Sequence, residues 1–141
     1  MTINEIQDEI IEEFSALDDW MDRYALLIEL GEGLEPIAEE YKTPRTLIEG
    51  CQSRVWIHAE MRDGHVHYVA ESDALIVKGI VSLLLRVFND RKPQEIVDAD
   101  LYFISRIGLQ EHLSPTRSNG LVAMIKQMKL YAVAFAAGMS A

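Results

Sequence analysis

The sequence predicts an α+β domain, a small antiparallel sheet of about three strands packed by five or six helices. Three observations predict it. Val55, Ile57, Ala59 and Met61 alternate with Arg54, Trp56, His58, Glu60 and Arg62, the period-two pattern of a half-buried strand. Asp63-Gly64 then supplies a two-residue hairpin turn, and a second alternating run follows it. On either side lie segments whose apolar residues recur at helical spacing. The 141 residues, 49% hydrophobic and 26% charged, suit one domain over 1–141. A chain of this size buries about 68–70% of its unfolded surface, enough for a core without disulfides.

In chain order, Ile3, Ile6, Ile10, Ile11, Phe14 and Leu17 mark an amphipathic helix with acids between them. A second helix begins near Asp18 or Asp19, carries Trp20, Tyr24, Leu27, Ile28 and Leu30, and is expected to stop at Gly31. Residues 31–46, with Pro36 and Pro44, read as a connector with a short helical turn. Thr46 to Glu49 reads as a short strand, and the first hairpin strand starts near Ser53. The turn pairs Arg62 with His65, so Met61 faces Val66, Ala59 faces Tyr68 and Ile57 faces Ala70, all on one face. Ser72 is positioned to cap a nearly all-apolar helix from about Asp73 to Asn89, a buried central element. Pro93 opens a short helix to about Asp98, Leu101 to Ile107 is ambiguous, and Gly108 ends it. Ser114-Pro115 caps the last helix, with Leu121, Met124, Ile125, Met128, Tyr131, Ala132 and Phe135 as its apolar stripe.

Charge excludes some functions. The net −10 argues against sequence-independent binding to nucleic acid or anionic lipid. Residues 1–40 hold 13 Asp and Glu against Arg23 alone, a net −12, while the other 101 residues sum to +2. This acidic arm reads as a solvated helical face or a partner-facing surface. No basic-then-apolar leader follows Met1, and the most apolar stretch, Ala74 to Phe88, is too short to span a bilayer. With a lone thiol, a cytoplasmic location is expected.

That thiol, Cys51, is the only one, so no internal disulfide or multi-cysteine metal site is available to the chain. It lies in Gly50-Cys51-Gln52-Ser53-Arg54-Val55-Trp56. Arg54 and the turn's N–H groups would favour the thiolate, the reactive form. On residue chemistry alone, a small buried hydrophobe and a reactive thiol both fit. Asp73 either meets the following helix dipole or governs the burial of the Cys51 loop. Arg117 places positive charge in the first turn of the last helix, against the dipole, which hints at function. Gly120, costly within a helix, suggests close packing. His58, His65 and His67 share the outer hairpin face with Glu60, His67 opposite Glu60 and His58 opposite Val69. They read as a solvated face, and no metal site is expected. His112 would cap or pack.

The run from Gly50 to Trp56 resembles the GCQSxVW signature of the SufE family of sulfur acceptors. Trp20, Tyr24 and Ile28-Glu29-Leu30-Gly31 resemble its N-terminal helical segment. Ser72-Asp73-Ala74 with Ile76-Val77-Lys78-Gly79 resembles the segment after the hairpin, and His112 to Ser118 with Gly120-Leu121 resembles the start of its last helix. The matches keep the family's order over residues 20–125, and Gln52-Ser53 with Leu113 to Arg117 resembles the Suf branch more than the CsdE branch.

The resemblance implies a SufE/IscU-like fold and sulfur transfer. Cys51 would take sulfane sulfur from the persulfide of a PLP-dependent cysteine desulfurase, SufS-like, stimulate it, and pass the sulfur to an iron–sulfur scaffold, SufBCD-like. Gln52, Ser53, Arg54, Asp73, His112 and Arg117 would support it, Arg117 by lining the transfer site or touching the desulfurase. The chain would be a partner of an enzyme rather than a stand-alone one, monomer or homodimer, with no bound cofactor; the PLP sits on the desulfurase. A thiol redox sensor and a CsdE-like relay are the alternatives. An iron–sulfur scaffold fails because one cysteine cannot hold a cluster, and a cysteine hydrolase needs a base and an oxyanion hole the sequence does not display.

Overall fold

A computed structural model describes residues 1–48, 53–113 and 115–138, with 115 and 116 as backbone only. Thr2 starts the chain's first helix, α1 (Ile3–Ser15), with a reciprocal cap: its Oγ1 accepts the Glu5 N–H at 3.1 Å, and its own N–H donates to Glu5 Oε1 at 3.0 Å. Ile3, Ile10 and Phe14 bury the inner face. On the outer face the acids have structural partners: Glu9 and Glu13 pair with Arg86, and Asp8 accepts the Tyr102 hydroxyl proton at 2.7 Å.

Asp19 caps α2 (Trp20–Glu32) by accepting the Met21 N–H at 2.9 Å. The expected stop at Gly31 does not occur: Gly31 is helical and buried, and Gly33 is the C-cap. Gly31 lies where α2 crosses α3 (Leu75–Phe88). A Cβ on Gly31 would lie 2.7 Å from Lys78 Cβ, and one on Gly79 only 2.1 Å from the Leu27 carbonyl oxygen. The two backbones touch there, so each glycine is set by its neighbour helix.

The hairpin has the expected register. β1 (Val55–Arg62) pairs antiparallel with β2 (His65–Ser72), Arg62 opposite His65 and Ile57 opposite Ala70, around Asp63 and Gly64 at φ of 51° and 80°. Val55, Ile57, Ala59, Val66, Tyr68 and Ala70 are buried; Met61, beside the turn, is 40% exposed. Among the described residues the sheet has two strands rather than three. Residues 46–48 make only a bridge to β1, with Ile48 N–H to Val55 O at 2.8 Å and Ile57 N–H to Thr46 O at 2.9 Å. On the N-terminal side, the turn formed by Thr43 and Thr46 ends this pairing. β1 begins at Val55, two residues after Ser53, because Arg54 is held by Asp73.

α3, buried along most of its length, starts at Leu75 rather than Asp73, since β2 runs through Ser72, whose buried hydroxyl accepts the Ala74 N–H at 3.2 Å. α4 (Pro93–Asp98) follows as expected. The ambiguous stretch, Leu101 to Ile107, holds a one-turn helix, α5 (Phe103–Arg106). Beyond Gly108, at φ 72°, an unanticipated second one, α6 (Leu109–His112), brings the described helices to seven. α7 (Pro115–Ala136) buries Leu121, Met124, Met128 and Ala132 along its stripe. Lys129 ties it to the Val97 and Ala99 carbonyls at the end of α4. No helix among the described residues is long and apolar enough to cross a membrane.

Candidate functional site

Glu49, Gly50, Cys51 and Gln52 lie outside the described residues, as does the expected cap Ser114. The residues on either side of 49–52 are described and held. On the C-terminal side, half-buried Ser53 leads to exposed Arg54, whose N–H donates to Asp73 Oδ1 at 3.0 Å, while the Asp73 N–H donates to the Arg54 carbonyl at 3.3 Å. Arg54 and Asp73 are thus brought together, and Asp73 binds the stem of the Cys51 segment instead of standing in the first turn of α3.

On the N-terminal side, residues 37–48 cross the outer face of the hairpin. Tyr41, in a 3-10 turn (Glu39–Tyr41), stacks on His58 with ring centroids 3.9 Å apart and planes 9° from parallel. Lys42 Nζ lies 2.6 Å from Glu71 and 5.4 Å from the Trp56 ring centroid. The outer face is therefore partly covered here, where a fully solvated face was expected. Burial under Tyr41 pulls the His58 pKa down from its ordinary value, against the pull of Glu60 and Glu40. Lys42, then the Ile37 N–H, hold the Glu71 carboxyl below its ordinary range.

Two concavities open beside this segment. One, about 420 Å³, lies between Leu47 and Ile48 and the α7 residues Ala123, Lys126 and Leu130. The other, about 670 Å³, is lined by Tyr41, His58 and Tyr131 and shares Pro44, Arg45 and Gln127 with the first. The sequence signal that could have pointed to this region is the Thr-Pro turn at Thr43-Pro44.

His112 is placed elsewhere. Its ring stacks on Trp20 at 3.7 Å, and its Nδ1 faces the Gly108 carbonyl at 3.0 Å, an acceptor that requires the proton on Nδ1. The Tyr24 hydroxyl donates to the His112 carbonyl at 2.8 Å, and Arg23 donates to the Ile107 carbonyl at 3.0 Å. His112 with Trp20 and Tyr24 locks α2 onto the α5–α6 turn. Arg117 is exposed in the first turn of α7, and Gly120 is buried within that helix. Among the described residues, no three His, Cys, Asp or Glu side chains are grouped to hold a metal.

A hairpin wrapped by helices, with both approaches to the cysteine-bearing segment held against it, defines the class: an α+β protein. The fold is shared with a hypothetical protein from Thermus thermophilus, known from its solution structure, at a TM-score of 0.75 and 22% identity over 91% of this chain and 93% of that one. The family model "SufE: Fe-S metabolism associated domain" matches residues 8–132. The chain belongs to the SufE family.

Proposed function

We propose that this protein is a sulfur acceptor in iron–sulfur cluster assembly, with Cys51 as the acceptor. The observation that carries the reading is the SufE family match over 8–132, which contains the chain's only cysteine within Gly50-Cys51-Gln52-Ser53. The Cys51 thiolate attacks the outer sulfur of a persulfide on a PLP-dependent, SufS-like desulfurase. A new S–S bond forms at Cys51, the donor's S–S bond breaks, and the desulfurase cysteine leaves as a thiolate, so no external oxidant or reductant is needed. A second nucleophile, on a SufBCD-like scaffold, then removes the sulfane sulfur from Cys51 in the same way.

Asp73 and the Arg54 backbone hold the C-terminal approach to the thiol, and the Arg54 guanidinium adds positive charge that favours thiolate. Gln52 and Ser53 supply polar groups beside the thiol, and Arg117 contacts the desulfurase or lines the transfer site. The PLP belongs to the desulfurase. A cytoplasmic location and the Suf branch belong to this reading.

Desulfurase turnover tests it: added wild type should raise alanine release from cysteine, and Cys51→Ser should abolish the rise. No stimulation by wild type, together with no sulfur uptake, would leave a redox-sensing thiol as the better account. Arg117→Ala should lower stimulation of the desulfurase.

A further inference from the structure

The two limbs of the Cys51 segment are held by two carboxylates, Glu71 within β2 and Asp73 just beyond its last residue, Ser72. Glu71 lies opposite Trp56 in the hairpin register. Asp73 takes the C-terminal limb through the Arg54 N–H. Glu71 takes the N-terminal limb: one oxygen accepts the Ile37 N–H at 3.2 Å, and the other meets Lys42 Nζ at 2.6 Å. Lys42 also lies over Trp56, the register partner of Glu71, and 3.2 Å from Glu39 on its own limb. Across the hairpin the ammonium is thus held by the shorter Glu71 contact and a ring on the adjacent strand. Both side chains are mostly shielded, at 22% and 23% exposure, which sets the pair apart from an open surface ion pair.

What this clasp holds leads directly to the acceptor. From Lys42 the chain turns at Thr43 and Thr46, where buried Thr46 Oγ1 accepts the Thr43 N–H at 3.1 Å and lies against the Tyr41 carbonyl. It then bridges to β1 through Thr46 and Ile48, and Cys51 is three residues further on. Among the described residues that bridge consists of two hydrogen bonds, and the Lys42–Glu71 contact adds a second hold on the same limb.

We propose that Lys42 and Glu71 are positioning residues for Cys51, pinning residues 37–48 across the hairpin and so fixing the N-terminal approach to the acceptor thiol. This rests on Cys51 being the sulfur acceptor, but its physical content is the geometry of that limb. A limb that opens locally adds states in which a small reagent reaches the thiol, so releasing the clasp speeds chemical modification of Cys51. Such a clasp serves transfer by holding the nucleophile near one attack geometry.

Alkylation of the intact protein by iodoacetamide reads this directly, because Cys51 is the only thiol. Glu71→Gln and Lys42→Met should each alkylate about fivefold faster than wild type, and Lys42→Arg, which keeps the charge, should stay within about twofold. Arg86→Ala, which breaks the distant Glu9–Glu13 clasp, controls for general loosening and should also stay within about twofold. Amide exchange at Ile48 should quicken in Glu71→Gln and Lys42→Met but not in Arg86→Ala. Wild-type rates in both clasp variants, or equal rises in Arg86→Ala or Lys42→Arg, would overturn the proposal. If Glu71→Gln fails to fold, Lys42→Met carries the comparison alone. A wild type that takes no sulfur from a desulfurase would remove the proposed function and leave this comparison intact.

Discussion

Gln7 has no exposed surface, yet it is polar and lies on the apolar side of α1. Its amide donates to the Asp100 carbonyl at 3.0 Å and to Asn4 Oδ1 at 3.2 Å, and its oxygen accepts the Phe103 N–H at 3.2 Å. It thereby completes the start of α5, a one-turn helix with no side-chain cap of its own. Gln7→Leu would strand the Phe103 N–H and the Asp100 carbonyl, and is expected to cost about 1–3 kcal/mol in urea unfolding; a loss below about 0.5 kcal/mol would contradict this role. His58 is the other residue with a measurable signature. Its pKa is lowered by burial beneath Tyr41, so its titration by NMR should fall below the ordinary 6.5. Because the folded value is the lower one, the neutral ring contributes fully above 6.5, and that contribution is lost as pH falls through the folded value. A midpoint at or above 6.5 would mean the stack does not desolvate the ring. Neither role was legible in the sequence: one polar residue in a helical stripe and one histidine on a strand look alike whether solvated or covered. What decides is a partner far along the chain.

Elements differed in how far local pattern determined them. The hairpin was legible to the residue because a period-two run and an Asp-Gly turn fix the same register independently. The α4 helix was legible because Pro93 fixes its first turn. Gly31 was misread as a stop, since a glycine ending a helix and one admitting a neighbouring helix have the same local sequence. Gly31 and Gly79, in the two segments that carried the family resemblance on either side of the hairpin, meet at one helix crossing. Gly79→Ala should therefore destabilise by about 1–3 kcal/mol, since overpacking against the Leu27 carbonyl outweighs the roughly 1 kcal/mol helix-propensity gain. A stabilising Gly79→Ala in a denaturant titration would mean the helices sit further apart. The third strand was overread among the described residues: Thr46 to Glu49 has strand-like residues, but 46–48 follow directly on the Thr43–Thr46 turn and meet β1 as a bridge.

Across the whole molecule, the acidic N-terminal arm belongs to the architecture as well as the surface: Glu9 and Glu13 clasp Arg86 on α3, and Asp8 holds Tyr102. The motif marked the Cys51 segment and named Arg54 and Asp73 separately, but their mutual hydrogen bonds, between residues 19 apart in the chain, were not legible in it. His112 was in the same motif for a different reason, locking α2 to the α5–α6 turn. The N-terminal limb was not legible, because its clasp joins Lys42 to a residue across the hairpin and no local pattern marks a pair so separated. The account's central claim is that Cys51 carries sulfur, and intact-mass measurement after incubation with a desulfurase, PLP and cysteine tests it most directly. Wild type should gain one sulfur, about 32 Da, lost on reduction and absent from Cys51→Ser. A wild-type mass unchanged while the desulfurase turns over, or the same gain in Cys51→Ser, would contradict it.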